Sequence, residues 1–451
     1  MPSTRRWLGH ANDVSQVDTL TIAGGDWGTG ETITLTIDNV DLVITIGTLV
    51  TDTQVATTIK EAFNGDALTD TSASSSPTIA DGGGSSIPQM AQITASSAAG
   101  VVTLTHDTPG VPFTMTETEA GAGTAVQATA TAATGKHFFS QRDNWSGNTV
   151  PITADTVVFD AGDVDCKYGL EPAISPAELI ITSGYRGQIG LPETNASSSS
   201  ATYREYLPTY LKLGATNTAI NVTIGDGPGS GSGRLKIDTS LSTGTGGTGT
   251  TLVVNGSGQR AETGVPSILW KNGASTSTAN QIFVNKGDVG AAFFAGEECE
   301  LTTCAVGFKT NVAGDSSLII GDDADLATAT INVRGGLTDT NSNIATVNMT
   351  AGELIICSGT VTTINLDGGD VRYRSTGTMT TCIVGPGGNI DFRQSVQNVT
   401  VTNLTLHRDC EYHDPTGRVT VTNGIDFDRC QPSDLRAFEV ASHQTWTASA
   451  I

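Results

Sequence analysis

From Ile344 to Phe427 the chain repeats itself about once every twenty residues, and few architectures accept so short a unit. One set of predicted strands reads TVNM (346–349), TTINL (362–366), TTCIV (380–384), TNLTL (402–406) and NGIDF (423–427). Their lead apolar residues, Val347, Ile364, Cys382, Leu404 and Ile425, lie 17, 18, 22 and 21 residues apart. A second set follows each of the first four: GELIICS, GDVRYRS, GNIDFRQ and DCEYHDP. Its apolar pairs are Leu354/Ile356, Val371/Tyr373, Ile390/Phe392 and Cys410/Tyr412. Apolar residues two apart put one face of each strand in a core and the other in water. A unit this short cannot bury its own apolar face, whereas stacking each strand on its copy in the next coil makes a continuous core. The expected fold is therefore all-β: a parallel β-helix, or solenoid.

Composition agrees. Only 15% of the 451 residues are charged, and Gly, Ser and Thr are abundant, as in chains made of strand and turn. Twenty-three basic against 46 acidic residues give a formal charge of −23, which argues against nucleic-acid grooves and anionic membrane surfaces as partners. The excess carboxylate reads instead as an acidic skin that keeps sheet edges apart. No apolar run approaches a membrane span. The opening MPSTRRWLGHAND has two arginines and no apolar stretch, so no secretory signal is expected. Seven cysteines cannot all pair within one chain. Cys382 and Cys410 fall on apolar strand positions, and the cysteines are expected reduced and buried, with stacking or pairing of Cys410 and Cys430 left open.

Along the chain, residues 1–16 read as an N-terminal arm and 17–118 as a separate small β-rich module. Within it, apolar alternation runs through Leu20/Ile22, Ile33/Leu35/Ile37 and Leu42/Ile44/Ile46, separated by Gly-rich turns. The period then changes: Val55, Ile59, Ala62 and Phe63 share a helical face, capped by Thr51 or Asp52 and ended by Gly65. The stretch 101–116 returns to strand, and the GGGSS tract (82–86) reads as a loop. The Thr/Ala/Gly tract that follows predicts a linker over 119–139, with the solenoid over 140–430 and a tail over 431–451. Trp145 is expected to shield the first coil's open end. Roughly 290 residues at about 20 per coil make ~14 coils, a rod on the order of 65 Å at the strand spacing.

Two stretches carry a resemblance. TLTIAGGDWGTGETITLTI, the helix TDTQVATTIKEAFNGD and VVTLTHDTPGVPFTMT resemble a small bead that recurs in tailed-bacteriophage structural proteins. NWSGNTVPITADTVVFDAG and the TTINLDGGDVRY coils resemble phage and environmental-bacterial right-handed parallel β-helix proteins. The resemblance implies a virion structural protein, a head decoration, head fibre or tail fibre. Its partners would be capsid or tail proteins, it would form a homo-oligomer (a trimer is expected), and a host-surface glycan is a further candidate. It implies localisation on the particle surface after assembly in the host cytoplasm. Few residues follow Cys430, unlike tailspikes that carry a large C-terminal domain.

Candidate chemistry is sparse. In LHRDCEYHD, strand alternation would project His407, Asp409, Glu411 and His413 from one face, a set able to hold a metal or cleave a glycoside. The competing reading is a solvated polar face behind Leu406, Cys410 and Tyr412, and no established zinc spacing is present. Asp322, Asp323 and Asp325 in GDDAD lack the ordered ligands and distal Glu of a calcium loop. Glu297, Glu298 and Glu300 read as surface charge. The tyrosines of YREYLPTYLKLG (203–214) either stack on sugars or pack a loop on the solenoid wall. GPGSGSG (227–233) lacks the Lys-Ser/Thr of a phosphate cradle. The expectation is a non-enzymatic protein without metal or cofactor, with a polysaccharide-binding or polysaccharide-degrading tailspike as the rival.

Overall fold

The structure is a computed structural model that describes residues 2–25, 27–38, 40–77, 90–191, 195–197, 201–203, 210–214, 219–225, 233–239, 249–256, 265–272, 280–307, 316–321, 324–340, 343–441 and 446–447. The tract 82–86, Asp322, Asp323 and residues 226–232 of the Gly/Ser run lie outside these; so do Tyr206 and the side chains of Tyr203 and Asp325.

The repeat forms as its periodicity demands. Val347, Ile364, Cys382, Leu404 and Ile425 pair in parallel register, each directly over the last, and all are buried. Backbone ladders hold the coils, and like side chains stack inside, each burial contributing ~1.5–3 kcal/mol. Pairing continues without a break through fourteen strands, from Thr4–Arg6 to Trp446–Thr447. At the usual spacing that column spans about 60 Å. A second column runs beside it from Leu211–Lys212 to Ala437–Val440. Glycine permits the corner between columns: Gly369 has φ +90°, and a Cβ there would lie 2.7 Å from the Gly352 carbonyl oxygen of the coil beneath.

Register in the second column differs from the expectation at one place. Val371 pairs with Ile390 as read, but Ile390 pairs with Tyr412, not with Cys410. The strand starts at Glu411 because Asp409 takes φ +64° in the preceding turn, which shifts the match by two residues.

The arm is not an arm. Strand β1 (Thr4–Arg6) is the first rung of the solenoid, pairing with Thr156–Val158. Asp155, fully buried, fixes it by accepting from the Ser3 backbone N–H (2.7 Å) and from Arg5 Nε (3.4 Å). Trp7 then packs on Trp145 (centroids 5.1 Å apart) and on Phe159 (5.6 Å). Phe139 completes the aromatic cluster on Trp145 at 4.8 Å, so the first coils are closed by rings from both sides of the inserted module.

That module lies between β1 and the re-entry near Trp145. It has two four-stranded antiparallel sheets, with β2 (Val17–Ala23), β3 (Thr32–Ile37), β4 (Val40–Thr45), helix α1 (Asp52–Asn64), β5 (Ser74–Pro77), β6 (Ile93–Ala98), β7 (Val101–His106), β8 (Met115–Ala120) and β9 (Thr124–Thr131). Thr51 precedes α1 with its N–H on Gln54 Oε1, and Gly65 ends it at φ 69°. Val55, Ile59 and Phe63 seat the helix on the buried Leu20, Ile22, Ile33, Leu35 and Ile44.

Two boundaries are corrected here. The expected linker contains β9, which pairs with β2 along its whole length. Glu119 and Glu117 of β8 accept from the edge amides of Ala125 and Gln127, occupying donors that an open edge would present to another chain. Thr/Ala alternation looks like a spacer in sequence because the only large inner side chains belong to the partner strand. The expected tail also continues the solenoid: Ala437–Val440 pairs with Glu411–Asp414, and Trp446–Thr447 with Ile425–Asp426.

Truncating Trp7→Ala should lower stability by about 3–5 kcal/mol, read as a fall in the urea midpoint, because a buried ring is lost from the first coil. Val396→Ala, at a side chain 75% exposed, should move the midpoint by no more than ~0.5 kcal/mol. An arm unattached to the solenoid would leave Trp7→Ala equally silent.

Candidate functional site

The four residues singled out from LHRDCEYHD separate. His407 follows its strand and meets Asp428 (Nδ1 to Oδ2, 3.3 Å), while Asp409 sits in the left-handed turn with its N–H on the Asp434 carbonyl. Neither shares the face of Glu411 and His413. These two do project together, as alternation within the strand Glu411–Asp414 requires.

Their partners come from neighbouring coils. Asp391, His413 and Glu439 occupy one register position in three successive strands. His413 Nδ1 lies 2.8 Å from Glu439 Oε2, and Nε2 lies 3.4 Å from Glu411 Oε2. Both ring nitrogens of His413 thus face carboxylate oxygens. Arg393 grips Asp391 with two bonds, Nε to Oδ1 at 3.0 Å and Nη2 to Oδ2 at 2.8 Å, and Arg436 pairs with Glu411. The cluster thus interleaves arginines and carboxylates across three coils. Burial alone would raise Asp391 and Glu411; hydrogen bonds from Arg393, and from Arg436 and His413, outweigh it and hold both carboxyls below their ordinary range.

Sequence reading missed Asp391, Arg393, Arg436 and Glu439, since they stand about twenty residues away on other coils. The signal was present in the repeat: sliding NID two places to lie over EYH puts Asp391 on His413. Among the described residues no three His, Cys, Asp or Glu side chains converge on a point fit for a metal. Chemically, the cluster ties the last coils together: Asp391 and Glu411 are each already paired with an arginine.

The other candidates fall on the wall. The Tyr210 ring is buried, with Lys271 Nζ 4.4 Å and Lys236 Nζ 5.7 Å from its centroid. Lys271 also meets Glu297 at 3.7 Å, so Glu297 joins a half-buried ion pair and only Glu298 of its group is fully exposed. All seven cysteines are free, and the pairing left open between Cys410 and Cys430 is not made. Burial pushes the thiols of Cys304, Cys382 and Cys410 up to about 12, so they serve as small apolar fillers.

Compared with protein-family models, with curated proteins and with solved structures, the chain matches none of them.

A carboxyl held low in the folded chain contributes stability that is complete above its unfolded value, near pH ~4, and is lost as pH falls through the folded value. Acidification from about pH 5 to pH 2 should therefore loosen the C-terminal coils, followed by hydrogen exchange of the amides over 411–414 and 437–440. Arg393→Ala, which frees Asp391 from its fork, should shift that loosening to higher pH; an unchanged profile would mean the cluster does not couple the coils.

In the native protein, a neutral-pH thiol reagent should modify Cys357 first, the single cysteine that is not buried, and reach all seven only after unfolding. Rapid native labelling of Cys382 or Cys410 would contradict the packing.

Proposed function

We propose that the chain is a non-enzymatic structural protein of a tailed-phage particle, a capsid decoration, head fibre or tail fibre. In this reading the inserted β-rich module docks on capsid or tail proteins and the parallel β-helix is the stiff element it presents. The observation that carries the reading is the unbroken coil-on-coil pairing from residue 4 to residue 447, with the module inserted at one end of it. Such a column resists bending because every coil is joined to the next by backbone ladders and a packed interior. Placement of the module after β1 ties both of its chain ends to the first coils, which would transmit a mechanical load without a flexible linker. The resemblance of the module and coils to phage proteins gives the particle, and the charge of −23 gives a coat that repels similar particles. Assembly would take place in the host cytoplasm.

Cryo-electron microscopy of purified particles tests this by locating the chain and counting copies. Many copies on the capsid lattice or along the tail, contacting neighbours through residues 17–131, are expected. A few copies at the tail tip, together with cleavage of host polysaccharide by the purified protein, would overturn the structural reading in favour of a glycan-active tailspike.

A further inference from the structure

The two columns of the solenoid described above differ in charge. On the fourteen-strand face, outward residues fall in two columns. From the strand Asn221–Ile224 to the strand Val399–Leu406 the first column runs from Asn221 to Asn403 and is threonine at six of nine positions. The second runs from Thr223 to Thr405 and includes Val253, Phe283 and Ile383. None of these eighteen positions is charged, in a chain with 69 Lys, Arg, Asp and Glu residues (23 + 46), and all but Ala305 reach the surface. Charge returns at both ends, with Glu178 before the stripe and Asp426 after it.

The neighbouring face is the opposite. It carries Glu353, Arg372, Asp391, Glu411, His413 and Glu439 in its later coils. In the earlier coils it is covered by the chain itself, leaving outward residues such as Lys236 and Asp288 only 2% exposed. The chain thus covers or charges one face and leaves the other bare and neutral. The neutral stripe is also fixed in shape: Asn365 Nδ2 donates to Asn348 Oδ1 (2.9 Å), and Asn348 Nδ2 to Asn332 Oδ1 (3.2 Å), which holds successive amides in one plane of the ladder.

We propose that this stripe is the surface through which a second copy of the chain packs, flank against flank. Two bodies of charge −23 repel, and the stripe is a long face on which they meet without opposing carboxylates. Nine strands by four to six residues make a patch of about 40 by 15 Å, or about 1,200 Å² over two copies, the lower end of a stable interface. A flat, rotamer-locked face loses little conformational freedom on contact. The inference deepens the homo-oligomer that the resemblance to phage proteins implies; particle attachment stands or falls separately, by imaging.

The experiment is light scattering coupled to size exclusion on the purified chain. The unaltered protein should run at a multiple of 46.4 kDa. Thr346→Glu/Thr363→Glu/Thr381→Glu should weaken association about a hundredfold, while Asn389→Glu on the charged face should leave it unchanged. A monomeric parent, or a folded triple variant that keeps its mass, would overturn the proposal. Should the stacked glutamates unfold the coils, Thr330→Cys decides: it sits mid-stripe, where parallel and antiparallel pairs both bring a residue to its own copy. A disulfide-linked dimer is expected on oxidation, and none from the parent; failure to cross-link would sink the idea.

Discussion

Register between successive coils is the constraint from which everything else in this molecule follows. Parallel pairing puts residue over equivalent residue, so a Val, Ile or Leu that faces inward in one coil must have a counterpart inward in the next. One slip would turn the column Val347–Ile364–Cys382–Leu404–Ile425 to solvent and drive the outward Thr and Asn residues into the core. The chain tolerates large excursions between strands, such as the 43 residues from Glu178 to Asn221, because a lateral loop leaves the register untouched. Inward residues stay inward along the main column among the described residues, and even the outward Val158 and Ala305 are buried rather than exchanged with them.

Stacking also decides what happens on the outside. Because outward residues are stacked as strictly as inward ones, any bias in composition becomes a continuous physical surface. Asparagines become an amide ladder, threonines a neutral stripe, and Asp391, His413 and Glu439 a polar column. On the charged face the same geometry brings arginines to the carboxylates: Arg372 pairs with Glu353, Arg393 with Asp391 and Arg436 with Glu411. A solenoid has two open ends, and the beginning is sealed by large rings, with Trp7 brought against Phe139, Trp145 and Phe159 from the far side of the inserted module.

Legibility followed signal length. The core coils were read correctly from Val347 to Ile425 because five copies of one spacing leave little freedom, and the helix over 52–64 was readable because its period breaks from two to 3.6 between two clear caps. The arm failed for the opposite reason: Thr4–Arg6 is three residues without a neighbouring repeat, and its partner lies past an inserted module. Strand β9 failed because alanine and threonine pack as well in a sheet as they pass for a linker. His407 and Asp409 failed because alternation was extended through a turn, and the left-handed backbone at Asp409 ended the strand's period.

The sequence by itself determined that the chain would be a stacked β-solenoid with a small helix-bearing β module, because periodicity of side chains is a local property that burial converts directly into strands and faces. Only the tertiary structure decided which residues meet. That Asp391 and Glu439 flank His413, that Trp7 lies on Trp145, and that the neutral columns align over nine strands depend on coil-to-coil register. Register is fixed by turns such as the one at Asp409, after which Tyr412 rather than Cys410 lies over Ile390.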